Sequence, residues 1–255
     1  MFCPKCGTEI NDCKEEDEIK SLKNENFKNP FKKFFYLLKE IILKPSTGCK
    51  EVIYNLSGKE TITYFSILSL VTAFISAITL RRSIINLAKT IISFFVSIGS
   101  EILTKADLLD INKNIDMTLS KNIKALNIFS IELLSILIFY LLLTLLMYLI
   151  FTVIIKKKIS FINYLKVSTC GIYIHCFFTL IGGVLLPLSV ILSTVILIFS
   201  NLIIVFVLFN GFKNLIKSTN KIIYIYPVLF IIINLLQCYI TLILLTSYIL
   251  NKNII

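Results

Sequence analysis

Residues 134–154 read LSILIFYLLLTLLMYLIFTVI, an unbroken apolar run without a charge. A helix needs roughly 20 such residues to cross a hydrocarbon core about 30 Å thick. A barrel strand would alternate apolar and polar positions instead, and lipid leaves any other backbone unpaired. The run therefore predicts a membrane-spanning helix. Four more runs of the same kind lie on either side of it, at 62–80, 167–186, 188–209 and 226–245. The fold expected is an all-α membrane protein, a bundle of about five transmembrane helices occupying residues 61–250.

Bulk composition agrees. Of 255 residues, 56% are hydrophobic and 16% charged, with a mean hydropathy of +0.86. Soluble domains run near a quarter charged, so this chain lacks the polar surface to cover itself in water. Its formal net charge of +11 would suit nucleic acid if it formed one patch. The lysines and arginines are instead spread between the apolar runs, where they set orientation, and no nucleic-acid partner is expected. The segments before the first run, after the second (Lys156, Lys157 and Lys158) and after the fourth carry most of them. That bias favours a cytoplasmic N-terminus, with Arg81 and Arg82 weighing the other way. The first residues are cysteines and charges, so no cleavable signal is expected and the first span would act as its own insertion signal.

The opening, MFCPKCGTEINDCKEE at 1–16, has the makings of a metal-binding knuckle. Cys3 and Cys6 set two thiolates on a tight turn, with Gly7 beside them. A structural zinc site takes four ligands, commonly two such pairs, and here only Cys13 follows; Glu16 stands where the second pair would close. Zinc on Cys3, Cys6 and Cys13 is the expectation. The fourth ligand would come from Glu16, from Cys49 or from a second chain, and a degenerate remnant is the remaining reading. Thiols kept reduced also fit a cytoplasmic head. Residues 17–30 are charged and apolar-poor, a linker.

Residues 31–60 begin with an amphipathic helix. Phe31, Phe34, Phe35, Leu38, Ile41 and Ile42 repeat with helical spacing, and Lys32, Lys33, Lys39 and Glu40 fall mostly opposite. Too short to span, it would lie in the headgroup region on membrane lipid or pack against its own bundle. Pro45 ends it, and Gly48 is read as loosening the chain beyond. Residues 83–103 are expected to form a separate interfacial or partly embedded helix, and 104–124 a polar external loop. Pro187 predicts a tight hairpin between the third and fourth spans, with Gly182 and Gly183 before it.

Inside the spans, polar residues are few. Asn234, Gln237, Cys238 and Thr241 share one face of the last run and are read as a face packed into the bundle, or alternatively as lining a transport path. His175, the single histidine, is read as a packing residue. Glu132, the last acidic residue, is placed where it reaches the interface. No zinc-protease pair, nucleophile elbow or phosphate loop is present, and no enzymatic activity is expected.

The head resembles the first half of the short zinc ribbons that begin many bacterial membrane proteins. The membrane portion resembles the Yip family of five-span proteins in three stretches: the proline-ended preamble KEIILKPSTGCKEVI, the lead-in KKKISFINYLKVSTCGIY to the third span, and VLFNGFKNL at the exit of the fourth. That resemblance implies a non-enzymatic protein of a bacterial cytoplasmic membrane, organising membrane or scaffolding a protein partner or a second copy of itself. The rival expectation is a small-solute transporter or channel, drawn from the polar face of the last span, His175 and the paired glycines.

Overall fold

The computed structural model describes residues 30–99, 105–216 and 219–250. The head at 1–16, with Cys3, Cys6, Cys13 and Glu16, and the linker up to residue 29 lie outside the described residues. The regular elements among the described residues are all helical, with no strand. Helix α1 is Pro30–Leu43, α2 Pro45–Asn55, α3 Gly58–Gly99 and α4 Lys105–Asn122; α5 is Ala125–Tyr148, continued by a π-helical turn Leu149–Ile154. Then come α6 Phe161–Leu185, α7 Val190–Ile216 and α8 Thr219–Leu250.

Five of these are long and apolar enough to cross a membrane: Gly58–Phe94, Ala125–Ile154, Phe161–Leu185, Val190–Ile216 and Lys221–Tyr248. They match the five expected runs, stopping one residue short at Leu185 and starting two residues late at Val190 around the hairpin, and elsewhere they extend past the runs where flanking polar residues continue the helix. With α1 and α2 marking the proximal end, α3, α6 and α8 run away from it and α5 and α7 return. Helix α6 sits centrally, packed on α7, α3 and α5, while α8 lies mainly against α5. Tyr224, Val228, Ile231, Leu235 and Leu242 of α8 are exposed, an apolar surface of the kind lipid covers.

Two expectations about the segment after the first span are corrected. Residues 83–99 are not a separate interfacial helix but the direct continuation of α3, a single helix of 42 residues. Nothing between Leu80 and Ile85 breaks a helix, since that stretch has neither Gly nor Pro. At 1.5 Å per residue α3 is roughly 63 Å long, about twice a hydrocarbon core, and the longest helix among the described residues. The expected loop at 104–124 is helical from Lys105 to Asn122 and packs back on α3. The side chain of Arg81 donates from Nε to the carbonyl of Ile123 at 2.9 Å, satisfying a carbonyl left open where α4 ends. The backbone N–H of Lys124 donates to the Tyr248 hydroxyl at 2.9 Å. Helices α3, α5 and α8 are thus tied at the distal end.

The amphipathic helix finds its apolar partner within the protein. Leu37 and Ile41 of α1 and Cys49, Val52 and Leu56 of α2 are buried in the same core as Tyr164, Tyr173 and Leu208. Gly48 does not loosen the chain. It lies inside α2, where a Cβ would stand 2.6 Å from the carbonyl carbon and oxygen of Glu40, so glycine is what lets α1 and α2 cross. Polar contacts lock this pair onto the bundle. Lys33 Nζ reaches Glu60 Oε1 at 2.7 Å and the Asn55 carbonyl at 2.9 Å. Lys166 Nζ donates to the Ile53 carbonyl at 2.7 Å. Two cations thus sit on the last carbonyls of α2, where the helix dipole favours positive charge.

Cys49 is fully enclosed, its thiol 3.6 Å from the Val207 carbonyl. Close helix approach elsewhere also depends on small residues. A Cβ on Gly171 would come 2.8 Å from a ring carbon of Tyr140, and one on Gly211 would meet Val167 Cγ1 at 2.6 Å.

The turn around Pro187 is the expected hairpin. Ser189 caps α7 by accepting the Leu192 N–H, and Ser193 Oγ donates to the Gly182 carbonyl at 2.8 Å.

Candidate functional site

Each span contributes polar side chains at the same level, in the distal half of the bundle. On α3, Ser76, Thr79 and Ser83 follow one another at helical spacing. Helix α5 brings Glu132 and Ser135, α6 brings His175 and Thr179, α7 brings Ser200 and Asn201, and α8 brings Asn234, Gln237, Cys238 and Thr241. These residues line two adjoining clefts, of about 230 Å³ and about 380 Å³. The smaller lies among α3, α5, α6 and α7 and the larger among α5, α6, α7 and α8. Glu132, His175 and Asn201 line both. Among the described residues no lysine or arginine lines either one.

The local reason each side chain stands there is simple. Serines and threonines in a helix return their proton to the carbonyl four residues back, as Thr79 does to Ile75 at 2.9 Å. They therefore sit in an apolar run at little cost while leaving oxygen lone pairs free. Asn201 and Asn234 do the same through their amide N–H groups, to the carbonyls of Leu197 and Phe230, each at 3.3 Å. Gln237 Nε2 and Thr241 Oγ1 cross to Ser135 Oγ at 2.9 and 2.8 Å. These bonds tie α8 to α5, so the polar face of the last span does serve packing, and the same face lines the larger cleft.

Glu132, near the start of α5, accepts a hydrogen bond from Ser76 Oγ at 2.8 Å and faces both clefts. The length of its side chain and the hydroxyl on α3 bring it inward. His175 is 3.4 Å through Nδ1 from the Tyr140 hydroxyl, a packing contact for a residue that also lines both clefts. Ser200, 2% exposed, has a hydroxyl with no partner among the described residues, and it lines the smaller cleft.

On the proximal side the bundle is filled. Tyr164, Tyr173, Tyr226, Phe151 and Phe212 are among its largest fully buried side chains. Tyr164, Phe212 and Tyr226 succeed one another at ring separations of 6.3 and 5.9 Å. Thr144 and Ser168 pair across α5 and α6, and Tyr226 donates to the Val205 carbonyl at 2.9 Å. The clefts thus lie in one half of the bundle, and packed aromatics fill the other.

No family model, curated protein or solved structure matches the chain.

The sequence singles out His175, Glu132 and the face Asn234, Gln237, Cys238 and Thr241, and the fold brings all of them to one place. It does not single out Ser76, Thr79, Ser83, Ser200 or Asn201, each a lone small polar residue in an apolar run. The spacing 76, 79, 83 is the signal that could have found the first three. Among the described residues no group of three or more His, Cys, Asp or Glu is arranged to hold a metal ion.

Proposed function

We propose that this protein binds a small polar solute within the membrane and passes it across, with the two joined clefts as the binding site. The observation that carries this reading is the convergence of the only histidine and the last acidic residue of the sequence, with an asparagine, on two polar clefts in one half of a bundle whose other half is filled by packed aromatics. Ionisable groups inside a membrane are costly and mark pathways or sites. A binding site in one half with a sealed layer in the other is half of an alternating-access cycle. With the N-terminus cytoplasmic, as the lysine distribution favours, the clefts face outward.

The test is flux into vesicles reconstituted with the full chain. Asn234→Leu together with Gln237→Leu is expected to abolish uptake of whichever solute of a broad panel is carried, while the protein still purifies as a folded species. Absence of flux for the whole panel counts against the reading.

The scaffold reading implied by the Yip resemblance rests on the head, which we propose as a zinc knuckle on Cys3, Cys6 and Cys13 that engages a partner or a second copy. Its direct check is zinc per chain in the purified protein. One zinc per chain, lost when Cys3 and Cys6 become serine, is expected of a complete site, and half that of a pair of chains pooling ligands. No zinc contradicts it.

A further inference from the structure

The polar groups of the clefts are unevenly spent. Many of the hydrogen-bond donors are used inside the protein: Ser76 gives its proton to Glu132, Thr79 to Ile75, Thr241 to Ser135. Asn201, Asn234 and Gln237 each commit an amide N–H. What these groups still offer is mostly acceptor capacity: the amide oxygens, the hydroxyl lone pairs and the second carboxylate oxygen. Among the described residues the site has one acid, Glu132, one histidine, His175, and no lysine or arginine lining it. The enclosed Ser200 hydroxyl, left without a partner among the described residues, shows that the smaller cleft is not satisfied by the protein alone, and such groups are rare without a ligand or water.

From this we infer that the clefts bind a protonated organic amine, with Glu132 as its charge partner; this rests on the proposed solute-binding role and names the class of solute. An ammonium group is a donor with no acceptor, the complement of this lining. Phe139 and Tyr140 line the larger cleft with rings 4.9 Å apart and nearly perpendicular, and aromatic faces attract cations. Volumes of about 230 and 380 Å³ far exceed a bare ion, so an organic body accompanies the charge. Two sources supply such a group, a soluble amine and the ethanolamine headgroup of a lipid.

The full chain is placed in phosphatidylcholine nanodiscs, which carry no primary ammonium. It is titrated with ethanolammonium, butylammonium and phenethylammonium chlorides, with 1-butanol as the uncharged counterpart and sodium chloride as the inorganic cation. Melting temperature and tyrosine fluorescence report binding. The expected result is saturable binding of at least one amine, no saturation by 1-butanol, and a loss of about tenfold or more in Glu132→Gln. Asn201→Leu, at an exposed position where leucine is readily accommodated, weakens the same amine and decides the matter if Glu132→Gln does not fold. Repeating the titration with phosphatidylethanolamine in the disc separates the sources: competition assigns the lipid headgroup, and no change assigns a soluble amine. Saturation by sodium alone overturns the inference. Equal binding of amine and alcohol, unchanged in Glu132→Gln, overturns it and leaves the solute-binding role standing. No saturable binding of any probe, with no flux in vesicles, removes both.

Discussion

Lys156 has a φ of 61°, in the left-handed region that costs a residue with a Cβ roughly 1–2 kcal/mol. It stands just past the π turn that ends α5, where the Ile155 N–H reaches back to Ile150 and the Lys157 N–H to Phe151, each at 2.9 Å. Helices commonly end on such a residue, and it is usually glycine. Lys156→Gly is expected to stabilise the protein by about 0.5–1 kcal/mol once the greater freedom of the unfolded glycine is offset, measured as a higher melting temperature in detergent. A lower melting temperature would mean that the lysine makes a contact worth more than the strain. The sequence shows Lys156 as part of a basic cluster and nothing of its backbone, because left-handed geometry is set by how α5 and α6 must join. The sequence is silent on the partner of Glu132 for a related reason. Its position along the run is legible, but the hydroxyl of Ser76 that turns it inward belongs to a helix 56 residues away in the chain.

At the scale of elements, the pair α1 and α2 is the clearest case of a pattern with two destinations. The apolar stripe through Leu38, Ile41 and Ile42 fits a membrane surface or a protein core equally well, since either removes the same area from water. What directs Leu37 and Ile41 into the bundle is tertiary: Lys33 meeting Glu60, Lys166 capping α2, and Gly48 allowing the crossing. Gly48→Ala is expected to cost about 1–3 kcal/mol, the usual penalty for forcing atoms into filled space, because the new methyl meets backbone that has no alternative rotamer. Melting of the variant against wild type is the check, and an unchanged melting temperature would mean the two helices do not cross so closely. Helix α3 illustrates the opposite error. Hydropathy locates where a span enters and leaves lipid, and says nothing about whether the helix stops there. Arg81 and Arg82 mark the exit, yet both favour helix, and the chain continues straight through them. Its partner α4 reads as a loop because it is polar, although KADLLDINKNIDMTLSKN contains no helix breaker.

Across the whole molecule, the five spans are the most legible feature, since length and hydrophobicity alone identify them. The clefts are only partly so. The face on the last span stands out because four polar residues share it. The contributions of α3 and α7 do not, because a lone serine bonded to its own helix looks the same whether it faces lipid or a cavity. Only assembly of five helices makes the polar level visible. Cys238 offers the most direct test of that assembly, because it lines the larger cleft and is exposed on α8. Its surroundings are either water within the cleft or lipid, and a thiol in lipid does not meet a charged reagent. The measurement is labelling by a membrane-impermeant, positively charged methanethiosulfonate added to the outside of intact cells and read by mass spectrometry of the Cys238 peptide. The account predicts modification of Cys238, while the enclosed Cys49 and Cys170 stay unmodified. A Cys238 that stays unmodified in cells, yet reacts fully once the protein is unfolded in detergent, would contradict an outward-facing water-filled cleft at the centre of the function.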